Sequence, residues 1–461
     1  MSSAPAATTC ANPASGAQFT PRFLAPLLIA ASLNPVNSSL IATALVPISR
    51  SVGLAAGRVS VLVFALYLAT AVMQPAAGKA ADVLGARRVL LAGCALVAAG
   101  GLVGGVAHSL GLLVAARVLI GIGTSAGYPG AMALLAQRSC GRPLPGRVLG
   151  RLSMVGSATV AVGPAIGGLL VGVLGWRSTF LVNVPVAPLA AATARAWIPP
   201  DPPAPRDRRS QTWSRLDPPG MLLFAAATTT WVLVLQRIPH PGYPLIGALA
   251  AVTAALIGWE LHARTPFLDV RQLARRPALT RTYARTALIL FGVYTVLYGL
   301  TAWLQDAAGY SAQAAGLLLL PMGLIAAFLN GPVAAGGRIR RPLTGAVVAM
   351  AAASALALTL RPASGVWPVL AVAAAFGVTV GAATSANQTA LTCQASREEL
   401  GTASGLFRTF TALGSIASST LISTLYAHGA TDTGLHTAAW ILIAASAAAL
   451  AMTLLDPALH S

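Results

Sequence analysis

Apolar runs of about the length that spans a bilayer alternate with short polar gaps along almost the whole chain. The runs fall at 22–47, 58–78, 87–107, 110–136, 149–174, 178–198, 217–235, 243–263, 282–305, 312–335, 342–361, 366–392, 401–427 and 434–455. An α-helix needs about 20 apolar residues to cross the hydrocarbon core, so we expect about fourteen transmembrane helices. The predicted fold class is an all-α polytopic membrane protein.

Two longer polar stretches divide the runs into six, two and six. A proline-rich basic segment follows the sixth run, and a second basic segment at 264–285 follows the eighth. Transporters built from repeated halves have this layout. The predicted parts are a tail at 1–21, an N-terminal six-helix bundle at 22–198, two extra helices with basic linkers at 199–281, a C-terminal six-helix bundle at 282–455 and a tail at 456–461.

The composition agrees with a membrane protein and gives it an orientation. Hydrophobic residues make up 56% of the 461 residues and charged residues only 9%, which fits no soluble class. A net charge of +19 would suggest nucleic acid binding in a soluble chain, but most of the 30 basic residues lie in alternate gaps between the apolar runs. Basic residues favour the cytoplasmic side, so both termini are expected in the cytoplasm and no nucleic acid is expected as a partner.

Two stretches have a spacing that indicates close packing or a tight turn. The turn after the second run reads Gly78-Lys-Ala-Ala-Asp82-Val-Leu-Gly85-Ala-Arg87-Arg88. Its acid can accept hydrogen bonds from a helix N-terminus or pair with a neighbouring arginine, although an incidental acid in a basic loop has the same spacing. In the fifth run, Gly156, Gly163 and Gly167 stack on one helix face and permit a close neighbour, and Pro164 should bend the helix.

Both stretches resemble motifs of the major facilitator superfamily. The turn is similar to the superfamily's loop motif, and Gly163-Pro164-Ala-Ile-Gly167-Gly168 is similar to a motif typical of its drug:proton antiporters. With fourteen helices, the chain most resembles the fourteen-helix branch of that group, and the resemblance covers essentially the whole chain. It implies a conformational latch at Gly78, Asp82, Gly85, Arg87 and Arg88 and a hinge between the halves at Gly156, Gly163, Pro164, Gly167 and Gly168.

Candidates for ion coupling follow partly from this resemblance. Arg117 lies inside the fourth run, in a stretch that resembles a motif linked to proton movement. A charge inside a span costs about 3 kcal/mol on insertion scales, so this side chain should face a polar cavity or a partner, or else bind helix carbonyls. The first helix of the branch usually carries an aspartate, but Asn37 stands at or near its place. Glu260 and Asp306 are the remaining candidates, with interfacial acids as the alternative explanation.

Polar and aromatic residues inside the runs are candidates for a substrate cavity between the bundles. They are Asn34, Asn37, Tyr128, Tyr294, Tyr298, Gln305, Asn330, Asn387 and Arg408. Such groups suit bulky, partly apolar ligands that are cationic or neutral. For any single residue, hydrogen bonding between helices is an equally good explanation.

The resulting hypothesis is a plasma membrane transporter that exports small amphipathic compounds by alternating access, in exchange for protons. Its expected partners are the small-molecule substrate, a proton or other ion and the lipid bilayer, and the chain is expected to act as a monomer without a cofactor or metal. A uniporter or importer of a neutral metabolite is the alternative, favoured by the missing first-helix acid. A membrane-embedded enzyme or a receptor is a more distant alternative.

Overall fold

The described residues form helices and no strand. The computed structural model describes residues 19–139, 146–201, 217–237, 242–264, 266–267, 270–336, 338–395 and 400–459. Within these ranges, helices cover all fourteen apolar runs. The all-α membrane fold expected from the sequence is confirmed.

The division of the long helices into six, two and six stays a prediction, and the helices are described in that order. The first six are α1 (Pro21–Val52), α2 (Val61–Leu84), α3 (Ala86–Gly105), α4 (Leu110–Thr124, then Gly127–Arg138), α5 (Gly146–Leu174) and α6 (Ser178–Leu181, then Asn183–Trp197). The extra pair is α7 (Pro218–Gln236) and α8 (Tyr243–His262). The last six are α9 (Pro277–Thr295, continuing through Asp306), α10 (Ala312–Leu318, then Leu320–Ala335), α11 (Arg340–Ala357), α12 (Val366–Gln394), α13 (Leu400–Leu425) and α14 (Asp432–Leu454).

Not every helix meets the length and hydropathy expected of a membrane span. Nine helices of the described part are long and apolar enough to cross a membrane. The number rises to ten when the bent helix α5 is counted as one span. Helix α7 is apolar but shorter. The number of membrane crossings therefore stays a prediction, whereas the helices themselves are found where the apolar runs predict them.

Helix α5 is bent, as the proline within it predicts. Its two arms, Gly150–Val160 and Val162–Leu174, meet at an angle of 42°. Pro164 lies just beyond the bend and has no N–H for the carbonyl of Val160, so one hydrogen bond of the helix is missing there.

Two helix pairs make the most extensive contacts between the bundles. Helix α5 of the first bundle packs on α10 of the second, and α2 packs on α13. The extra pair lies beside this seam, because α7 packs on both α2 and α13 while α8 packs mainly on α7. In the most apolar 18-residue stretch of α8, 11% of the residues are buried. Most residues of this helix are therefore exposed to the surroundings.

Candidate substrate cavity

A cavity lies between the two bundles. Its empty volume, including its open mouth, is about 1190 Å³. The wall is formed by α1, α2, α4 and α5 of the first bundle and by α9, α12 and α13 of the second. Of the residues predicted to line such a cavity, the structure places five in this wall: Asn34, Tyr128, Tyr294, Asn387 and Arg408.

The lining belongs mainly to the helix halves on one side of the molecule. We call this the termini side, because it carries the start of α1 and the end of α4, whose residues Phe23 and Arg138 form a cation–π contact of 4.6 Å. Opposite it lies the far side, where α1 ends and α9 reaches Asp306. The cavity therefore lies on the termini side of the molecule.

Several contacts join the bundles on the far side. The backbone N–H of Gly57 donates to the carbonyl of Tyr426 at 3.1 Å. Arg50 forms an ion pair of 3.5 Å with Asp306 and donates to the carbonyl of Gln305. Deeper in the molecule, the Tyr298 hydroxyl donates to the carbonyl of Ser38 at 2.9 Å. These contacts close the far side above the cavity.

The glycines of α5 have different neighbours. A Cβ at Gly163 would collide with Ser39 of α1, and one at Gly167 would lie 2.7 Å from Thr43 Oγ1 of the same helix. A Cβ at Gly168 would meet the carbonyl of Ala312 in α10, whereas Gly156 has open space around it and lines the cavity. One face of α5 thus packs within its own bundle, and the adjacent Gly168 makes the close contact across the seam.

Side chains of the two bundles touch across the cavity. Tyr67 of α2 and Tyr294 of α9 meet edge to face, with ring centroids 5.3 Å apart. The guanidinium carbon of Arg408 in α13 lies 3.9 Å from the ring centroid of Tyr128 in α4. This is a cation–π distance. Phe407 and Tyr294 line the cavity with them, so the wall combines one cation with aromatic surface.

Behind the first-bundle wall lies a buried amide pair. Asn37 donates to Asn183 Oδ1 at 2.7 Å, and Asn183 donates back to Asn37 Oδ1 at 2.8 Å. Arg117 is 2% exposed and donates to the carbonyls of Leu62 and Asn37 at 3.1 and 3.0 Å. Its Nη2 has no hydrogen-bond partner. Arg117 therefore binds backbone carbonyls in the interior of the bundle, and Asn37 does not line the cavity.

Behind the second-bundle wall lies a buried charge network that the sequence interpretation missed. Arg285 and Asp456 have side chains that are both 0% exposed and lie 3.5 Å apart. Arg281 donates to the same carboxylate at 2.8 Å. Arg285 also donates to Oδ1 of the cavity residue Asn387 at 3.0 Å. A carboxylate from the end of the chain is thus linked through Arg285 to the cavity wall.

The other predicted cavity residues lie outside the wall. Tyr298 is in a π-helical segment of α9, Val296–Leu300, and reaches across to α1. Gln305 is buried near the far end of α9 and donates to the carbonyl of Thr301. Asn330 in α10 accepts from Ser385 in α12. Tyr298 and Asn330 thus join neighbouring helices, whereas the side chain of Gln305 bonds within α9.

Two of the predicted coupling acids lie away from the cavity. Asp306 is on the far side, where it accepts from the backbone N–H of Ala430 and pairs with Arg50. Glu260 is 1% exposed and lies in the extra pair, close to Gly220 at the start of α7. Neither residue belongs to the cavity wall.

The predicted latch turn is held by an acid from another part of the chain. Asp201, which follows α6, accepts from the backbone N–H groups of Arg87 and Arg88 at 3.1 and 2.8 Å. It caps the N-terminus of α3, where carboxylates are favoured. Gly85 has φ of 104°, and a Cβ there would collide with Asp201. Gly78 lies near Pro129, and the side chain of Asp82 lies outside what the structure describes.

Polar residues of α2 complete the wall and were also missed from the sequence. Tyr67, Thr70 and Gln74 lie three and four residues apart along the chain and line the cavity together. That spacing places them on one face of a helix, so it was a signal that could have identified them. Thr70 also accepts from Asn34 of α1 at 3.3 Å.

Comparison with known proteins connects this architecture to a family. The model of the Major Facilitator Superfamily matches residues 27–419. The uncharacterized MFS-type transporter YwoD of Bacillus subtilis is 30% identical over 438 residues, which make up 93% of this chain and 95% of that protein. The puromycin resistance protein pur8 of Streptomyces alboniger is 31% identical over 74% of this chain and 68% of its own length. The cephamycin export protein CmcT of Amycolatopsis lactamdurans is 32% identical over 63% of this chain and 60% of its own length.

Solved structures show the same fold at low sequence identity. A crystal structure of the nucleoside transporter NupG matches with a TM-score of 0.63 and 12% identity, covering 94% of this chain and 98% of that one. A peptide transporter of the POT type in complex with sulfate matches with a TM-score of 0.65 and 16% identity, covering 94% of each chain. At these identities the match concerns the fold alone.

Proposed function

The chain belongs to the Major Facilitator Superfamily and is a transporter, and we propose that it exports small amphipathic, drug-like compounds across the plasma membrane by alternating access. The observation that carries the proposal is the cavity between the bundles, which lies on the termini side and is closed on the far side by contacts between α1, α9 and α13. Relatives named for antibiotic resistance and export support this direction of transport.

The orientation of the cavity decides from which side of the membrane compounds enter it. Most basic residues lie in gaps on the same side as the termini, and basic gaps favour the cytoplasm. Both termini are then cytoplasmic, and the cavity faces the cytoplasm. Compounds enter from the inside and leave when the far-side contacts separate.

Exchange for protons is the second part of the proposal, and Asp456 is our first candidate for the coupling acid. Among the described acids, it is the one that is fully buried and linked by contacts to a cavity residue, through Arg285 and Asn387. Asp306 forms an ion pair on the far side, Glu260 belongs to the extra helix pair, and Arg117 binds backbone carbonyls. Those three residues stay secondary candidates.

Transport assays in inverted membrane vesicles test both parts. Puromycin, lincomycin and a cephamycin, which the names of relatives suggest, are added separately while a pH-sensitive dye reports the vesicle interior. We expect at least one compound to accumulate and to release protons from acidified vesicles, and an uncoupler to abolish that accumulation. Vesicles that carry an Asp456→Asn variant should release no protons when the substrate is added.

A uniporter or importer is the second candidate, and one observation favours it. Asn37 stands at or near the place of the usual first-helix acid and forms a neutral pair with Asn183. An uncoupled transporter would equilibrate the substrate and would be indifferent to the uncoupler. That result in the vesicle assay would reject antiport and leave this alternative.

The hinge proposal concerns the seam between α5 and α10. Gly168→Ala places a Cβ against the backbone carbonyl of Ala312, which cannot turn aside within its helix. Overpacking of this kind costs about 1–3 kcal/mol, and here the cost falls on the state with a closed far side. We expect the transport rate to fall about tenfold, which corresponds to about 1.4 kcal/mol. Gly150→Ala, at an exposed position of the same helix with open space around it, is the matched control, and an equal loss in both variants would contradict a special role for the seam.

A further inference from the structure

The cavity wall carries a single charge among the lining residues that the structure describes, and that charge is positive. Arg408 is half-buried in α13, and the structure gives it one contact, the ring of Tyr128 at 3.9 Å. No described carboxylate pairs with its guanidinium. A cation in this position lowers the affinity of the cavity for other cations and raises it for anions.

The surroundings of the cavity do not neutralise this charge. On the first-bundle side, Arg117 binds only carbonyl oxygens and keeps one N–H group without a partner. On the second-bundle side, Arg281 and Arg285 share the single carboxylate of Asp456, so this network supplies no excess negative charge. The described part of the site is therefore positive, and the sequence-based expectation of cationic ligands does not match it.

We propose that the substrates of this transporter are amphipathic anions, compounds with an aromatic or apolar body and a carboxylate that binds Arg408. The inference rests on the proposed function in taking the cavity as the substrate site. Guanidinium groups bind carboxylates through two parallel hydrogen bonds, which is a stronger interaction than contact with an aromatic face. Phe407, Tyr294 and Leu290 offer the surface on which the apolar body packs.

Binding of such an anion takes place at a contact between the bundles. Arg408 belongs to α13 and Tyr128 to α4, so their cation–π contact joins the second bundle to the first across the cavity. A carboxylate binds the N–H edge of a guanidinium, whereas an aromatic ring contacts its face, so the substrate anion can bind Arg408 while the contact with Tyr128 is kept. The anion then lies where the two bundles meet.

Binding of three dansyl compounds with the same aromatic body and different charges tests the proposal. The purified full chain in lipid nanodiscs is titrated with dansylglycine, an anion, with neutral dansylamide and with cationic dansylcadaverine, and dansyl fluorescence is recorded. We expect dansylglycine to bind at least about tenfold tighter than dansylamide, and dansylcadaverine to bind weakest, since a charge-assisted pair adds a factor of this order.

Variants at Arg408 assign the preference to this side chain. Arg408→Gln should weaken dansylglycine binding at least about tenfold and change dansylamide binding less than about twofold, which also shows that the variant is folded. Arg408→Lys keeps the charge and should keep most of the preference. Arg151→Gln removes an exposed arginine of α5 on the same side of the molecule and should leave all three affinities unchanged.

Three results would overturn the inference: no saturable dansylglycine binding, cationic probe binding as tight as anionic, or an Arg408→Gln variant that keeps the anion preference. The assay needs no transport, so it fails or succeeds separately from the vesicle experiment. Selective anion binding without export would reject the exporter and keep this site. Export of a cephamycin, with no preference for the anionic probe, would support the exporter and reject this anion site.

Discussion

The polar interiors of the two bundles are built from different chemistry. In the first bundle, Asn37 and Asn183 form a reciprocal amide pair beside Arg117, whose contacts are carbonyl oxygens. In the second, Arg285 is paired with Asp456 and bonded to Asn387 in the cavity wall. One interior thus holds a guanidinium for which the described residues provide no counter-ion, and the other holds a buried carboxylate that Arg285 shares with Arg281.

This difference indicates a division of labour between the bundles. An amide pair has complementary donors and acceptors on both partners and changes little with pH, so it suits a fixed connection between α1 and α6. A buried carboxylate held by two arginines and linked through one of them to the cavity wall suits a group that responds to the conformation of the transporter. The proposal of Asp456 as the coupling acid therefore concerns the second bundle, although the resemblance that suggested ion coupling pointed to the first helix.

The largest predicted effect is the loss of the buried charge in the second bundle. Asp456→Asn leaves Arg285 buried without its counter-ion, and breaking such a pair costs about 3–5 kcal/mol. The free energy of unfolding, measured by SDS titration in lipid–detergent mixtures, should fall by about that amount. Asp201→Asn is the matched control, because Asp201 follows the last helix of the other bundle and its amide can still cap α3 at a cost of about 1 kcal/mol or less.

A double variant separates charge from packing in that result. Arg285→Gln together with Asp456→Asn removes both charges and should recover part of the stability that the single variant loses. If the double variant is as unstable as the sum of the two single variants, the pair does not act as a unit. The contrast between a buried ion pair in one interior and an amide pair in the other would then lose its energetic basis.

The sequence predicted the fold well because a membrane span is a local property. Length and apolarity identify each helix, and Pro164 in α5 predicts a bend wherever it is placed in a helix. Cavity residues such as Asn34 and Arg408 were found because polar groups are rare inside apolar runs. These inferences need no knowledge of which helices are neighbours.

What the sequence did not predict depends on contacts between distant segments. Arg285 was assigned to a basic linker and Asp456 to the C-terminal tail, because each lies near the end of an apolar run. Only the packing of α9 against α14 shows that both are buried together. In the same way, Asn37 pairs with a residue 146 positions away. The local sequence pattern cannot tell whether such an asparagine joins two helices or lines the cavity.

The smaller predicted effect is the loss of the amide pair in the first bundle. Asn37→Ala leaves the polar groups of Asn183 buried without two of their bonds, which costs about 1–3 kcal/mol, less than the loss of Asp456. The same SDS titration measures it, with Asn34→Ala as the control. Asn34 lines the cavity, and its partners Thr70 and Thr124 keep their own bonds to backbone carbonyls, so its removal should cost less. If Asn37→Ala destabilises the protein as much as Asp456→Asn, the first interior cannot be a neutral connection, and Arg117 must depend on Asn37 for more than one carbonyl contact.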